Sequence, residues 1–328
     1  MEDKRLYFEL PPYRPPSEAG SLLIRATRGC PWNRCHFCNL YKGSKFELRS
    51  VAEIKQDILA MKELADQMVA WAQHMGYGDR IAQVALYNGL PWLTDEGVKT
   101  AFLGDSNSLI MHTEDLAQVI EFLYHTFPTL ERVTSYARAK TILHKKPEEL
   151  KRLREAGLSR LHLGLESGDD EVLQDIQKGA TAQDMIQAGL KVKEAGISLS
   201  EYIILGLAGK RRWREHALGT ARVLNAIDPD FIRVRTLQLV PGSELRERVE
   251  RGEFQPASIE EIVLETRLLI ENLEVTSEFV SDHVSNYLNL NGKLPEAKTA
   301  MLAAIDSVLS AAPEVKARIL VPKHLAHL

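Results

Sequence analysis

The sequence predicts an α/β protein: a partial (β/α)6 TIM-like barrel with a helical C-terminal extension. Two observations carry that prediction. Short apolar runs alternate with longer stretches of helical periodicity through most of residues 21–245, and glycines stand where the helices must stop. Strands that alternate with helices of this length require right-handed crossovers and a parallel sheet. Six such units in succession favour barrel-like curvature over a flat open sheet, which gathers the loops after the strand C-termini on one active face.

Each element has its own reason. Residues 1–20, with Pro11, Pro12, Pro15 and Pro16, read as an extended arm that wraps the domain. A first strand over residues 21–26 runs directly into a cysteine-bearing loop. Ser50 and Glu53 make a capping box for a long helix running toward His74. Residues 77–99 carry Asn88-Gly89, Pro91 and Trp92 and are expected to be irregular, forming a lid or linker. A second strand over 100–103 ends at Gly104-Asp105-Ser106-Asn107, and Thr113 is expected to cap the helix that follows. The same alternation continues with a strand at 132–136, a helix at 147–156 closed by Gly157, a strand at 160–165 and a helix at 181–195 closed by Gly196. A strand at 198–205 ends at Gly206, a helix covers 212–226, and a strand at 231–237 precedes Pro241-Gly242. Residues 256–328 lack a strand pattern and read as helical, so the barrel is expected to occupy 21–250 and the extension 251–328.

Composition narrows the function classes. With 328 residues, 45% hydrophobic and 26% charged, the chain has the make-up of an ordinary globular protein with a full core. A net charge of −4 offers no general attraction to nucleic acid or to anionic membranes, so an RNA substrate is disfavoured. No run approaches membrane-spanning length and the N-terminus has no signal-like apolar core, which points away from a membrane. Thiols packed as tightly as these would oxidise outside the cell, so the expected compartment is the reducing cytoplasm.

The chemistry is concentrated in three cysteines, Cys30, Cys35 and Cys38, with no other cysteine in the chain. A closed structural zinc site or a fully protein-held iron–sulfur cluster wants four protein ligands. Three thiolates leave one metal position open, and an open position is where a substrate or cofactor can bind. The C-x4-C-x2-C spacing also begins the plant-type ferredoxin pattern, but that pattern needs a fourth cysteine. A zinc site closed by His36 is strained, because His36 lies between two ligands, but a distant histidine such as His112 or His162 could close one.

With an aromatic, Phe37, directly before the last cysteine, and with its place after the first strand, the loop resembles that of the radical S-adenosylmethionine (SAM) superfamily. The usual spacing there is C-x3-C-x2-C, so this chain carries one extra residue between Cys30 and Cys35. The resemblance implies that the three cysteines hold a [4Fe–4S] cluster and that SAM chelates the open iron through its amino and carboxylate groups. It further implies reductive cleavage of SAM to a 5′-deoxyadenosyl radical that abstracts hydrogen from a substrate. Gly104, Asp105 and Ser106 occupy the place of the family's Gly-Gly-Glu motif, which binds the methionine amino group. Gly164-Leu165-Glu166-Ser167-Gly168 resembles a G-x-E-S-G segment of the branch that includes oxygen-independent coproporphyrinogen oxidases and the elongator catalytic subunit, where the Glu and Ser approach SAM. Arg138 is a candidate partner for the SAM carboxylate, and Gly206 a flat contact for adenine.

Arg233, Arg235 and Gln238 alternate along the sixth strand, so some of them should reach the barrel mouth and either read a substrate or pair with Glu166 or Glu201. Ser281–Tyr287 is polar and aromatic and is expected to fold over the opening, with His283 or Tyr287 as possible proton donors. The absence of further cysteines argues against auxiliary clusters. The expected function is therefore radical SAM chemistry on an unidentified small molecule or peptide, with an electron donor such as flavodoxin or ferredoxin. The alternatives are a non-catalytic metal-binding or electron-transfer protein, and a tRNA-modifying radical SAM enzyme.

Overall fold

The computed structural model describes residues 6–321. In chain order the strands and helices begin with β1 (Leu22–Arg25), β2 (Thr27–Arg28), β3 (Glu47–Leu48), α1 (Val51–His74), α2 (Ile81–Tyr87), β4 (Thr100–Gly104) and α3 (Thr113–Thr126). The middle of the chain gives β5 (Arg132–Ala137), α4 (Ala139–His144), α5 (Pro147–Glu155), β6 (Leu158–Glu166), α6 (Asp170–Asp175), α7 (Ala182–Glu194), β7 (Ser198–Leu205), α8 (Gly209–Ile227) and β8 (Phe231–Thr236). The C-terminal part adds α9 (Glu244–Glu250), α10 (Ile259–Glu271), β9 (Glu278–Val280), β10 (Asn291–Lys293), α11 (Lys298–Leu309) and α12 (Pro313–Ile319).

The main sheet runs β1-β4-β5-β6-β7-β8-β9-β10, parallel from β1 to β9, with β10 returning antiparallel. The six strands from β1 to β8 in this order are the expected partial barrel, β9 adds a seventh parallel strand, and the sheet stays open because β1 and β10 do not pair. Alternate residues of each strand face opposite sides. Leu161, Leu163 and Leu165 of β6, with Leu199, Ile203 and Leu205 of β7, join the buried apolar core that includes the helices. On the other face, Phe102, Tyr136, His162 and Tyr202 form an aromatic ladder, with ring centroids 5.1 to 6.3 Å apart, that fills the lumen.

The capping box on α1 forms as expected: the Glu53 amide donates to Ser50 Oγ at 3.3 Å and the Ser50 amide to Glu53 Oε2 at 2.9 Å. Three expectations need correction. Residues 77–99 are not wholly irregular, since α2 tucks Ile81 and Ala85 into the core and so fixes a helix where turn residues dominate the composition. His112, not Thr113, takes the cap position of α3, because the Thr113 hydroxyl donates to Glu149 Oε1 at 2.5 Å on α5 instead. The short helices α4 and α6 fall in stretches to which the sequence pattern assigns no element. The C-terminal segment is not helical throughout: β9 continues the sheet beside β8 and buries Phe279 completely. Three-residue strands are too short to show alternation in sequence.

The N-terminal arm does more than wrap. Glu18 is fully buried and receives Ser21 Oγ at 2.6 Å, Arg132 Nη2 at 3.1 Å and His162 Nε2 at 3.3 Å. Arg132 opens β5 and His162 lies mid-β6, so the arm closes the lumen from its N-terminal end. Burial works to raise the Glu18 carboxyl, but the His162 and Ser21 hydrogen bonds and the Arg132 charge outweigh it and leave it below the usual carboxylate range. No helix among the described residues is long and apolar enough to cross a membrane.

Candidate functional site

The cysteine loop leaves β2 at Gly29 and returns at β3, and its entrance is held by charge. Gly29 has φ +81°, and a side chain there would meet the Lys45 carbonyl at 3.1 Å, so glycine is required. Its amide donates to Asp105 Oδ2 at 2.8 Å and its carbonyl accepts from Ser106 Oγ at 2.9 Å. Arg25 grips the same Asp105 carboxylate through Nε at 3.2 Å and Nη2 at 3.0 Å. The turn after β4 therefore anchors the loop with both side chains predicted to serve a ligand. Gly104 packs tightly, since a Cβ there would lie 2.5 Å from Pro11. Asp105 is fully buried, and burial outweighs its Arg25 and Gly29 contacts to raise its carboxyl.

All three cysteines are free and partly buried. Burial pushes the Cys35 thiol up and the Cys38 thiol to about 11, so a bound cation is needed to hold them as thiolates. The Asn33 amide donates to Cys30 Sγ at 3.4 Å, and Asn33 adopts φ +49° in the segment that contains the extra residue. Lys178 and Arg138 are the cations whose charges Cys35 feels. Thiols with amide and cationic support fit an anionic iron–sulfur cluster. Among the described residues no three such side chains converge on a single metal ion. His162 is committed to Glu18 in the lumen and His36 contacts Arg248 Nη1 at 3.5 Å, so neither closes a zinc site on this loop.

Phe37 packs with Val172, Ile176, Leu207 and Leu245, fastening the loop to the segments after β6 and β7. Arg138 follows β5. Its guanidinium lies 5.0 Å from the Trp32 ring centroid and donates to the Lys178 carbonyl at 3.1 Å. Trp32 in turn donates through Nε1 to the Gln177 carbonyl at 2.7 Å. Gly179 allows this stacking, because a Cβ there would stand 2.4 Å from the Trp32 ring.

Glu166 ends β6 with φ +62°, a left-handed conformation that costs a non-glycine residue roughly 1 to 3 kcal/mol. Two partners hold it there. Lys178 Nζ pairs with Glu166 Oε1 at 2.8 Å, and the His216 ring lies 3.2 Å from the Glu166 carbonyl through Nε2. His216 Nδ1 meets Glu265 Oε1 at 2.5 Å, and Glu265 Oε2 accepts the Gly206 amide at 2.9 Å. Burial opposes charge on His216, but the Glu265 carboxylate outweighs it and raises the imidazole. One helix of the C-terminal region thus fixes the ends of both β6 and β7. Ser167 is fully buried and caps the next turn by accepting the Asp169 amide at 3.0 Å. Gly168 lets that turn touch α8 backbone to backbone, since a Cβ would lie 2.2 Å from the Gly219 carbonyl.

The residues of the sixth strand divide. Arg235 and Gln238 line a cavity of about 340 Å³ together with Phe37, Tyr136, Tyr202 and His283. Arg233 lies deeper and donates to Ser200 Oγ at 3.2 Å. Neither arginine pairs with Glu166, which belongs to Lys178, or with Glu201. By register Glu201 stands beside Leu163 and Ile232, on the face opposite Tyr202 and Arg233, and both its oxygens lack a hydrogen-bond partner. Burial raises its carboxyl to about 8. Ser281–Tyr287 does reach the opening: His283 lines the cavity, and Asn286 Nδ2 donates to the Val234 carbonyl at 2.9 Å.

Sequence reasoning missed Lys178, His216 and Glu265 as site residues. A lysine twelve positions after a strand-end glutamate was the one available signal. The His216–Glu265 pair joins residues 49 apart and has no local pattern.

Comparison with known proteins follows this geometry. Residues 24–218, well over half of the chain, match the radical SAM superfamily. The chain is 26% identical over 117 residues to the tRNA uridine(34) acetyltransferase of Methanocaldococcus jannaschii, covering 35% of this chain and 22% of that protein. It is 23% identical over 175 residues to the heme chaperone HemW of Bacillus subtilis, covering 51% and 45%. The chain thus spans less than half the length of either relative. Among solved structures, methylornithine synthase (PylB) aligns with a TM-score of 0.48 at 16% identity, over 91% of this chain and 84% of that one. Members of the matched family bind a [4Fe–4S] cluster and SAM, and the chain, with its free thiol triad at the mouth of a partial barrel, belongs to the radical SAM superfamily.

Proposed function

We propose that this enzyme cleaves SAM reductively and abstracts hydrogen from a small-molecule or peptide substrate in the barrel lumen. The observation that carries the reading is the free Cys30–Cys35–Cys38 triad, with amide and cationic support, on a loop whose Phe37 and Leu40 line the lumen cavity. The three cysteines would hold the cluster, which with SAM supplies one-electron cleavage of a sulfonium carbon–sulfur bond. The chain's own residues do the rest. Asp105, Ser106 and Arg25 hold the loop entrance, while Phe37 shields the loop from water. Glu166 and Arg138 are the polar groups offered to SAM, with Lys178 holding both in place. Ser167 and Gly206 shape the backbone that SAM would lie against. The reaction needs a reducing partner such as flavodoxin or ferredoxin, and we place it in the cytoplasm.

The similarity to a tRNA uridine(34) acetyltransferase favours tRNA as a second reading, against which stands the net charge of −4. Anaerobic reconstitution tests the main reading: about four irons per chain and 5′-deoxyadenosine formed with a strong reductant support it. One bound zinc and no cleavage product would overturn it. Salt-sensitive tRNA binding by the same preparation would move the substrate to the second reading.

A further inference from the structure

The lumen cavity has an unbalanced charge. Arg14 and Arg235 line it and no aspartate or glutamate does, while its body is aromatic and apolar through Tyr136, Tyr202 and Ile204. Arg235 comes from β8, lies 5.1 Å from the Tyr202 ring centroid and donates within the protein to the Val234 carbonyl at 2.8 Å. Among the described residues no carboxylate lies within ion-pair distance of it. Asp282, the nearest acid whose charge it feels, is exposed. The outer cavity of about 440 Å³ differs on this point, because Glu171, Asp175 and Glu253 line it beside its arginines and its Arg212 and Arg248 pair with Asp169 and Asp175. His283 on the same wall has its imidazole pushed down to about 4 by burial and by the Arg235 charge, so the ring there is neutral and offers Arg235 no counter-charge.

A guanidinium drawn into a half-apolar cavity without a counter-charge is stable there when a ligand supplies one. We propose that this cavity binds a small organic acid, its carboxylate on the Arg235 guanidinium and its apolar body against Tyr136 and Tyr202. The inference rests on the proposed radical chemistry and names the substrate class. About 340 Å³ is within the range of small-molecule sites and excludes a macromolecule except by an inserted end.

The test uses the anaerobically reconstituted full chain and Arg235→Gln. Binding of benzoate and 3-phenylpropionate is measured by calorimetry against benzamide and 3-phenylpropionamide, with inorganic phosphate as a separate probe. The wild type is expected to bind at least one acid about tenfold more tightly than its amide, and Arg235→Gln to bind the two alike. Arg235→Lys should keep part of the preference, which separates lost charge from lost packing. SAM affinity of Arg235→Gln is measured alongside, as the readout that separates substrate binding from SAM binding. Equal binding of acid and amide, no binding of either, or a preference that survives Arg235→Gln overturns the proposal. Tighter binding of phosphate than of both acids overturns the carboxylate class, and loss of SAM affinity in Arg235→Gln assigns the arginine to the SAM carboxylate instead. A wild type that forms no 5′-deoxyadenosine yet prefers acids defeats the radical reading alone.

Discussion

The two ends of the lumen treat buried charge in opposite ways. At the closed end the Glu18 carboxylate is met by Ser21, Arg132 and His162, which give it three hydrogen bonds and a counter-charge. At the open end three thiols are free, Arg235 has no carboxylate and Glu166 is held in a left-handed conformation. A satisfied network rigidifies and seals. The open end is built to be completed from outside, by the cluster and SAM that members of this family bind and, on the proposal above, by an acid.

Removing one thiolate should break the contrast most severely. Cys35→Ala is expected to lower iron content sharply and 5′-deoxyadenosine formation by about a thousandfold or more, with an unchanged far-ultraviolet spectrum. At the closed end the opposite pattern is expected. Glu18→Ala leaves Arg132 and His162 without their shared acceptor and should cost about 3–5 kcal/mol in denaturant unfolding, while SAM cleavage per folded molecule holds. Because the Glu18 carboxyl is held low, its contribution is present above the usual carboxylate range and lost as pH falls through its folded value. The acid limb of the stability profile should flatten in the variant.

Glu201 provides the counter-case, a buried carboxyl with no partner. The unfolded chain releases this proton near about pH 4.5 while the folded chain keeps it until about 8, so the native state binds more protons across that window. Stability therefore falls as pH rises, and Glu201→Gln should gain about 3–4 kcal/mol on the wild type between pH 5 and 8. A flat difference across that range would show that the carboxyl finds a partner. The smallest effect is expected from Gly164→Ala, whose Cβ would lie 2.1 Å from Glu166 Oε1 and 2.9 Å from Lys178 Nζ. Displacing that pair should weaken SAM binding by about tenfold with little change in melting temperature. Unchanged SAM affinity would remove Glu166 from the cofactor's surroundings.

Much of this was readable from local pattern. The alternation of strands and helices, the three cysteines and the strand-end glutamate are properties of neighbouring residues. The failures share a cause. The bonds from Arg25 and Gly29, about 80 residues upstream, to the Asp105 carboxylate have no local signature. The strands β9 and β10 exist because β8 offers an edge, so three residues suffice without an intrinsic pattern. The His216–Glu265 clamp and the Glu18 plug likewise depend on pairings that only the folded chain creates.

The Glu265 contact has a consequence for how this protein can be divided. The family match stops at residue 218, yet the carboxylate that reaches Gly206 and His216 stands on α10, beyond that limit. Transplanting the matched stretch alone into another scaffold would carry the cysteines and Glu166 but leave the left-handed turn at Glu166 without its brace. The portable piece is longer than the recognisable one, and swaps between relatives should be cut after β10, where the chain has finished buttressing its own mouth.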